Sequence, residues 1–206
     1  MRAVTVDTSQ ANGPARLTML VTAAGRSSSP AVVDLRPDPS TLHALAEQPL
    51  PLDEPSQWHL NLAGGGRQVN TKGTDGGVEF GFVFAAKGDN WAYPWVGFEP
   101  VRDFSAYDGL RFDYRSDPAA PGPIRLMLVE ASGASYLAET SRPGARQWQT
   151  GTLLFQDMSC LSWMKPDPNG HLDLDQITAL RFGCNCQSLS VALELRNLRL
   201  VRFTPR

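Results

Sequence analysis

Between Gly109 and Ser116 the chain writes Leu110, Phe112 and Tyr114 in strict alternation with Arg111, Asp113 and Arg115. A period of two puts successive side chains on opposite faces, so this segment is a β-strand with one face in a core and the other polar. From Trp58 onward comparable signals recur at short intervals: Trp58 to Leu62, Val78 to Phe84, Trp91 to Phe98, Leu110 to Arg115, Ile124 to Glu130, Ala134 to Glu139, Trp148 to Phe155, Ile177 to Phe182 and Val191 to Phe203. The turns between them are Gly64-Gly-Gly66, Asp75-Gly-Gly77, Lys87-Gly-Asp89, Asp117 to Pro123, Ser132-Gly133 and Arg142-Pro-Gly144. Eighteen glycines and sixteen prolines supply such turns, and 42% hydrophobic residues fill an interior. The expectation is an all-β fold, an antiparallel β-sandwich or jelly roll.

The first fifty residues read as a separate β-rich extension, either a small appendage or a donor of edge strands. Val4 to Val6, Leu17 to Thr22 and Ala31 to Leu35 are strand-like, and Pro39 to Glu47, with Ser40 as its cap, is read as one short helix. Pro49-Leu-Pro-Leu-Asp-Glu-Pro55 then reads as a linker or crossing segment, which divides residues 1–50 from 56–206.

A net charge of −2 offers no basic stripe for nucleic acid and no polybasic membrane anchor. No window approaches 18 apolar residues, and Met1 to Asp7 lacks the apolar stretch of a signal peptide. Cys184 and Cys186 share the strand face of Leu180 and Phe182 and read as small core residues. Cys160 is either free or bridged to one of them, and Cys-x-Cys with scattered histidines is poor zinc geometry.

Catalytic residues are expected to be none. No Glu-x-Asp-x-Glu spacing places two carboxylates across a glycosidic bond, and His43, His59 and His171 have no supporting motif. Asp167, Asn169, Asp173 and Asp175 surround a glycine without EF-hand spacing, so turn and cap chemistry explains them.

Binding is the better prospect. Trp91, Tyr93 and Trp95 alternate, so an extended Trp91-Ala-Tyr-Pro-Trp95 puts all three on one side, as a stacking platform or as core, with Pro94 suiting a rim. Indole faces stack on pyranose rings while charged side chains bond hydroxyls. Arg111, Asp113 and Arg125 are the polar candidates, Tyr136 follows a turn toward the polar face, and Trp163 is either a rim residue or a lid. Trp148 is assigned to the core.

The order Asp103-x-Ser-x-Tyr-Asp-Gly-Leu-x-Phe112, then Glu130 with Ser132-Gly133 and Tyr136, then Trp148-x-Thr-Gly-x-Leu-Leu-Phe155, Asn169-Gly-His-Leu-Asp-Leu-Asp-Gln-Ile177 and Leu195-x-Asn-Leu-x-Leu200 resembles non-catalytic carbohydrate-binding modules of the galactose-binding-like β-sandwich superfamily, nearest to family eleven. The resemblance covers about residues 56–206. It implies a concave sheet face that binds a β-glucan or another plant cell-wall polysaccharide, a partner glycoside hydrolase, and secretion. It also implies a structural Ca2+, although Arg196-Asn197 stands where such modules often carry an acidic residue. The same sandwich also serves proteins that bind protein partners, so an accessory role without glycan is the alternative.

Overall fold

The computed structural model describes residues 15–19, 22–23, 26–27, 31–35, 38–62, 66–86, 88, 90–117, 122–186 and 188–203. The chain forms two compact units, 1–42 and 43–206. In the first, β1 (Ala15–Met19) pairs antiparallel with β4 (Ala31–Leu35), and β2 (Thr22–Ala23) pairs with β3 (Arg26–Ser27). The strand expected at Val4 to Val6 lies outside the described residues.

The helix expected over Pro39 to Glu47 is only a 3-10 turn, Pro39–Thr41, and its cap is Asp38, whose Oδ1 accepts from the Ser40 amide at 3.0 Å. Ala46–Pro49 is instead a strand, β5, because the edge of a longer strand supplies its backbone with hydrogen-bond partners, whereas an isolated helix this short is marginal. Nor is Pro49 to Pro55 a linker. Leu50 is buried in the core, and its amide donates to Leu198 O at 2.9 Å. Trp58 is buried too, with its indole N–H donating to Leu52 O at 2.9 Å. The boundary between the units therefore falls at 42/43, ahead of the expected one.

The second unit continues with β6 (Arg67–Thr74), β7 (Gly77–Val83), β8 (Asn90–Ala92), β9 (Trp95–Arg102), β10 (Gly109–Asp117), β11 (Pro123–Glu130), β12 (Ser135–Pro143), β13 (Gln149–Leu154), β14 (Ser159–Cys160), β15 (Ile177–Cys186) and β16 (Ser190–Arg202). One sheet runs β13-β10-β16-β7-β6, with β5 also on β16; the other runs β14-β12-β11-β15-β8, with β9 also on β15. All the pairings are antiparallel. This is the expected sandwich.

The two longest strands organise it in the same manner. On one edge β16 pairs with β10; on the other it pairs with β7 through Arg196 and with β5 from Arg199. Asn197 sits at the changeover with φ 54°, a left-handed conformation that asparagine tolerates better than most residues. β15 pairs with β11 on one edge and passes from β9, up to Arg181, to β8, from Cys184, on the other. Leu126, Leu128, Leu180 and Phe182 from one sheet meet Leu110, Phe112, Leu193 and Phe80 from the other, all fully buried. Phe112 and Phe182 touch edge-to-face across the sheets at 5.5 Å.

Two further expectations change, and the reading of Cys184 and Cys186 as core residues holds. The strand at Trp58 to Leu62 is reduced to two isolated bridges, His59 to Trp95 and Leu62 to Ala92. Trp148 is not core: it lies half-buried with the Arg196 guanidinium 3.9 Å and the Arg115 guanidinium 4.7 Å from its ring centre. All three cysteines are free, Cys160 exposed and Cys184 and Cys186 buried, because the latter pair point into the sandwich.

Candidate functional site

The outer face of the β12-β11-β15 sheet gathers four of the residues anticipated for binding. Because Leu126, Leu128, Leu180 and Phe182 point inward, Arg125 and Met127 on β11 and Arg181, Gly183 and Asn185 on β15 point outward. Pairing sets the rows: Glu139, Arg125 and Gly183 lie abreast, as do Leu137, Met127, Arg181 and Trp95, while Asn185 faces Trp91. Pro94 splits the expected single strand into β8 and β9, yet Trp91, Tyr93 and Trp95 still share this face.

Two glycines let the rings lie close to the sheet. A Cβ on Gly183 would stand 1.9 Å from Ala92 O and 2.7 Å from Tyr93 Cδ1, so only glycine permits both the approach of β8 and the ring above it. A Cβ on Gly97 would stand 3.3 Å from Trp95 Cζ3, which places that indole over the strand. Trp95 also meets His59, ring centres 4.6 Å apart.

The three aromatics differ in exposure. Tyr93 is buried in a small cluster with Met127 and Leu161, against which Trp91, Leu137 and Met164 pack, whereas Trp91 and Trp95 keep part of their surfaces open. Tyr93 is a support beneath the surface. Its hydroxyl donates to Asn185 Oδ1 at 2.8 Å and receives Arg125 Nη1 at 3.3 Å; Arg125 also reaches Asn185 Oδ1 at 3.0 Å and Glu139 Oε1 at 2.7 Å. Burial raises the Tyr93 pKa, with Arg125 opposing it. For Arg125, burial lowers the pKa, but the hydrogen bonds to Tyr93 and Glu139 outweigh it and the net shift is upward. The result is a fixed polar row between two partly open indoles.

The remaining candidates lie elsewhere. Arg111 and Asp113 are on the outer face of the other sheet, where neighbours already engage them. Arg111 Nε donates to Thr152 Oγ1 at 2.9 Å and its Nη1 pairs with Glu47 at 3.5 Å. Asp113 accepts from Thr150 Oγ1 at 2.7 Å and Asn197 Nδ2 at 2.8 Å. Tyr136 pairs with the inward-facing Leu128, is buried, and hydrogen-bonds Asp167 through its hydroxyl; burial, then that bond, raises its pKa. It does not reach the polar face. Trp163 is 74% exposed, in a loop held beside the face by Leu161 and Met164. The residues that sequence reasoning passed over are His59, Glu139, Arg181 and Asn185. Only the alternation around Phe182 could have signalled Arg181 and Asn185.

The Asp167 to Asp175 loop is turn chemistry. Asn169 N donates to Asp167 Oδ1 at 3.2 Å, His171 N to Asn169 Oδ1 at 2.8 Å, and Asn169 Nδ2 to the Asp173 carboxylate at 3.0 and 3.1 Å. Asp173 stands at the N-cap of the Leu174–Gln176 turn, but its carboxylate makes no cap bond there and accepts from Asn169 instead. Among the described residues no group of three or more His, Cys, Asp or Glu side chains is placed to hold a metal.

By sequence, no family profile and no curated relative matches the chain. By structure, a family 11 carbohydrate-binding module from Clostridium thermocellum, solved with a β-1,3-1,4-mixed-linked tetrasaccharide, superposes with a TM-score of 0.61 at 20% identity over 80% of this chain and all of its own. The fold is that of a family 11 carbohydrate-binding module. A family 30 module from a cellulosomal cellulase of the same organism shares this family 11 fold with a TM-score of 0.53 at 11% identity, over 78% of this chain and 100% of its own. An agarase matches with a TM-score of 0.55 at 14% identity over 77% of this chain, which spans only 25% of that enzyme.

Proposed function

We propose that the second unit is a non-catalytic carbohydrate-binding module whose ligand lies along the outer face of the β12-β11-β15 sheet. The observation that carries this reading is the pair of partly open indoles, Trp91 and Trp95, flanking the fixed Tyr93–Asn185–Arg125 row on a sandwich of the family 11 fold. Stacking on indole holds a sugar ring by its apolar face, and preset donors and acceptors read its hydroxyls without an ordering cost. A plant cell-wall polysaccharide, foremost a β-linked glucan, is the proposed ligand class, and targeting of a secreted glycoside hydrolase the proposed role. The agarase supports the role in kind, since there a similar fold is part of a larger enzyme.

Binding without chemistry fits the acids on this face. Glycoside hydrolysis needs two carboxylates flanking the bond, and Glu139 is tied to Arg125 at 2.7 Å. Affinity electrophoresis of the folded chain against soluble polysaccharides tests the reading: retardation by mixed-linkage glucan or another member, without depolymerisation, is expected, and retardation by none refutes it.

A further inference from the structure

Arg181 occupies the middle of the proposed binding face with no acid beside it. It lies between Met127 and Trp95, two positions before Gly183, and it is half-buried. Its Nε is enclosed without a hydrogen-bond partner among the described residues. Five other arginines on the sheet faces have an acid partner: Arg125 with Glu139, Arg115 with Glu194, Arg196 with Asp113, and Arg111 and Arg199 with Glu47. Arg196, Arg199 and Arg202 share the unbonded Nε, but they lie on β16 in the other sheet. The one carboxylate in the neighbouring row, Glu139, is already held by Arg125. Glu99 is exposed four residues farther along β9, roughly 13 Å at the rise of a strand, and forms no ion pair with Arg181.

Burying part of a guanidinium without a counter-charge is costly, and burial is the sole cause of the downward pull on its pKa. A neutral hydroxyl repays little of that cost. A planar anion accepting two parallel N–H bonds repays most of it.

We infer that the glycan bound on this face carries an anionic substituent, a carboxylate or a sulfate ester, which docks on Arg181 beside the Trp95 indole. The inference rests on the proposed binding function and puts an acidic polysaccharide in place of the neutral glucan named foremost there. Uronic-acid polymers and sulfated galactans present this chemistry in two different forms.

Calorimetry with matched pairs separates them: cello-oligosaccharides against the same oligosaccharides oxidised to the acid at C6, and neutral agaro-oligosaccharides against sulfated ones. At low salt, one acidic member is expected to bind about tenfold tighter than its neutral counterpart, the gain expected of one charge-assisted contact. The advantage should shrink as salt rises. Arg181→Met should abolish the difference between acidic and neutral members, and Arg181→Lys, which keeps the charge on a folded background, should retain part of it. A gain confined to the oxidised series assigns a carboxylate, and one confined to the sulfated series a sulfate. Equal binding of neutral and acidic members by the unaltered chain overturns this inference and leaves the proposed function standing. If no member of either series binds, this inference falls, and retardation by none of the soluble polysaccharides refutes the proposed function as well.

Discussion

Trp91, Tyr93 and Trp95 share one face, but their neighbours give them different tasks. Trp91 and Trp95 keep open surface, so Trp91→Ala or Trp95→Ala should weaken glycan binding by about 1–3 kcal/mol while barely moving the melting temperature, as read by calorimetry and thermal melts. Tyr93 is only 6% exposed, and Tyr93→Ala should cost roughly 3–5 kcal/mol of folding stability as a cavity beneath the face. Gly183→Ala tests the backbone that supports them. Its Cβ would collide with Ala92 O, at 1.9 Å, an atom that cannot swing aside as a side chain does. Chemical denaturation should show a loss of more than about 2 kcal/mol, together with weakened glycan binding as β8 moves away from β15. Unchanged stability would mean that the approach of β8 to β15 is not the constraint described.

β15 and β16 each change partners midway, and these changeovers explain much of the local sequence. Each strand must serve two shorter strands on one edge, which requires a residue without a Cβ in one case and a left-handed residue in the other. Trp148 shows how strand phase can outweigh a residue's apolar character. It stands five positions before the buried Leu153, so a period of two turns it to the outer face, where the arginines of β10 and β16 clasp it from outside the sandwich. Trp148→Ala should therefore cost about 1–2 kcal/mol, the range of cation–π contacts. Phe112→Ala, at the junction of the two sheets, should cost about 3–5 kcal/mol. Urea denaturation of the two variants side by side checks the ranking, and equal losses would return Trp148 to the core.

For the second unit as a whole, the buried thiols tie stability to alkaline pH. Burial, aided by each other's charge, pushes Cys184 from its usual value near 9 up to about 12, and burial pushes Cys186 to about 11. Raised folded values mean that the folded state holds these protons longer than the unfolded chain does. Their contribution is complete below about pH 9 and is lost as pH climbs through 11 and 12. The melting temperature should fall over that window, and less steeply in a Cys184→Ala/Cys186→Ala variant; Tyr93 and Tyr136, also raised, supply the remaining slope. At neutral pH a thiol reagent should label Cys160 alone until the chain is unfolded.

Strand alternation and glycine-rich turns wrote the sandwich into the sequence, because a residue's preference for an inner or outer position follows from its neighbours one and two places away. The shared side of Trp91, Tyr93 and Trp95 was legible for the same reason. What alternation leaves open is which sheet a strand joins. Arg111 and Asp113 have the right character and the right period, but β10 belongs to the other sheet, and their partners there come from β13, β16 and β5, as many as 84 residues away. Ala46–Pro49 became a strand because β16 had a free stretch of edge, a fact held 150 residues downstream. Arg181 and Asn185 acquired their surroundings only when β11, β9 and β8 lined up beside β15. Local periodicity encodes the layers; long-range pairing, which no short window contains, decides which side chains meet on a face and which of them are left without a counter-charge.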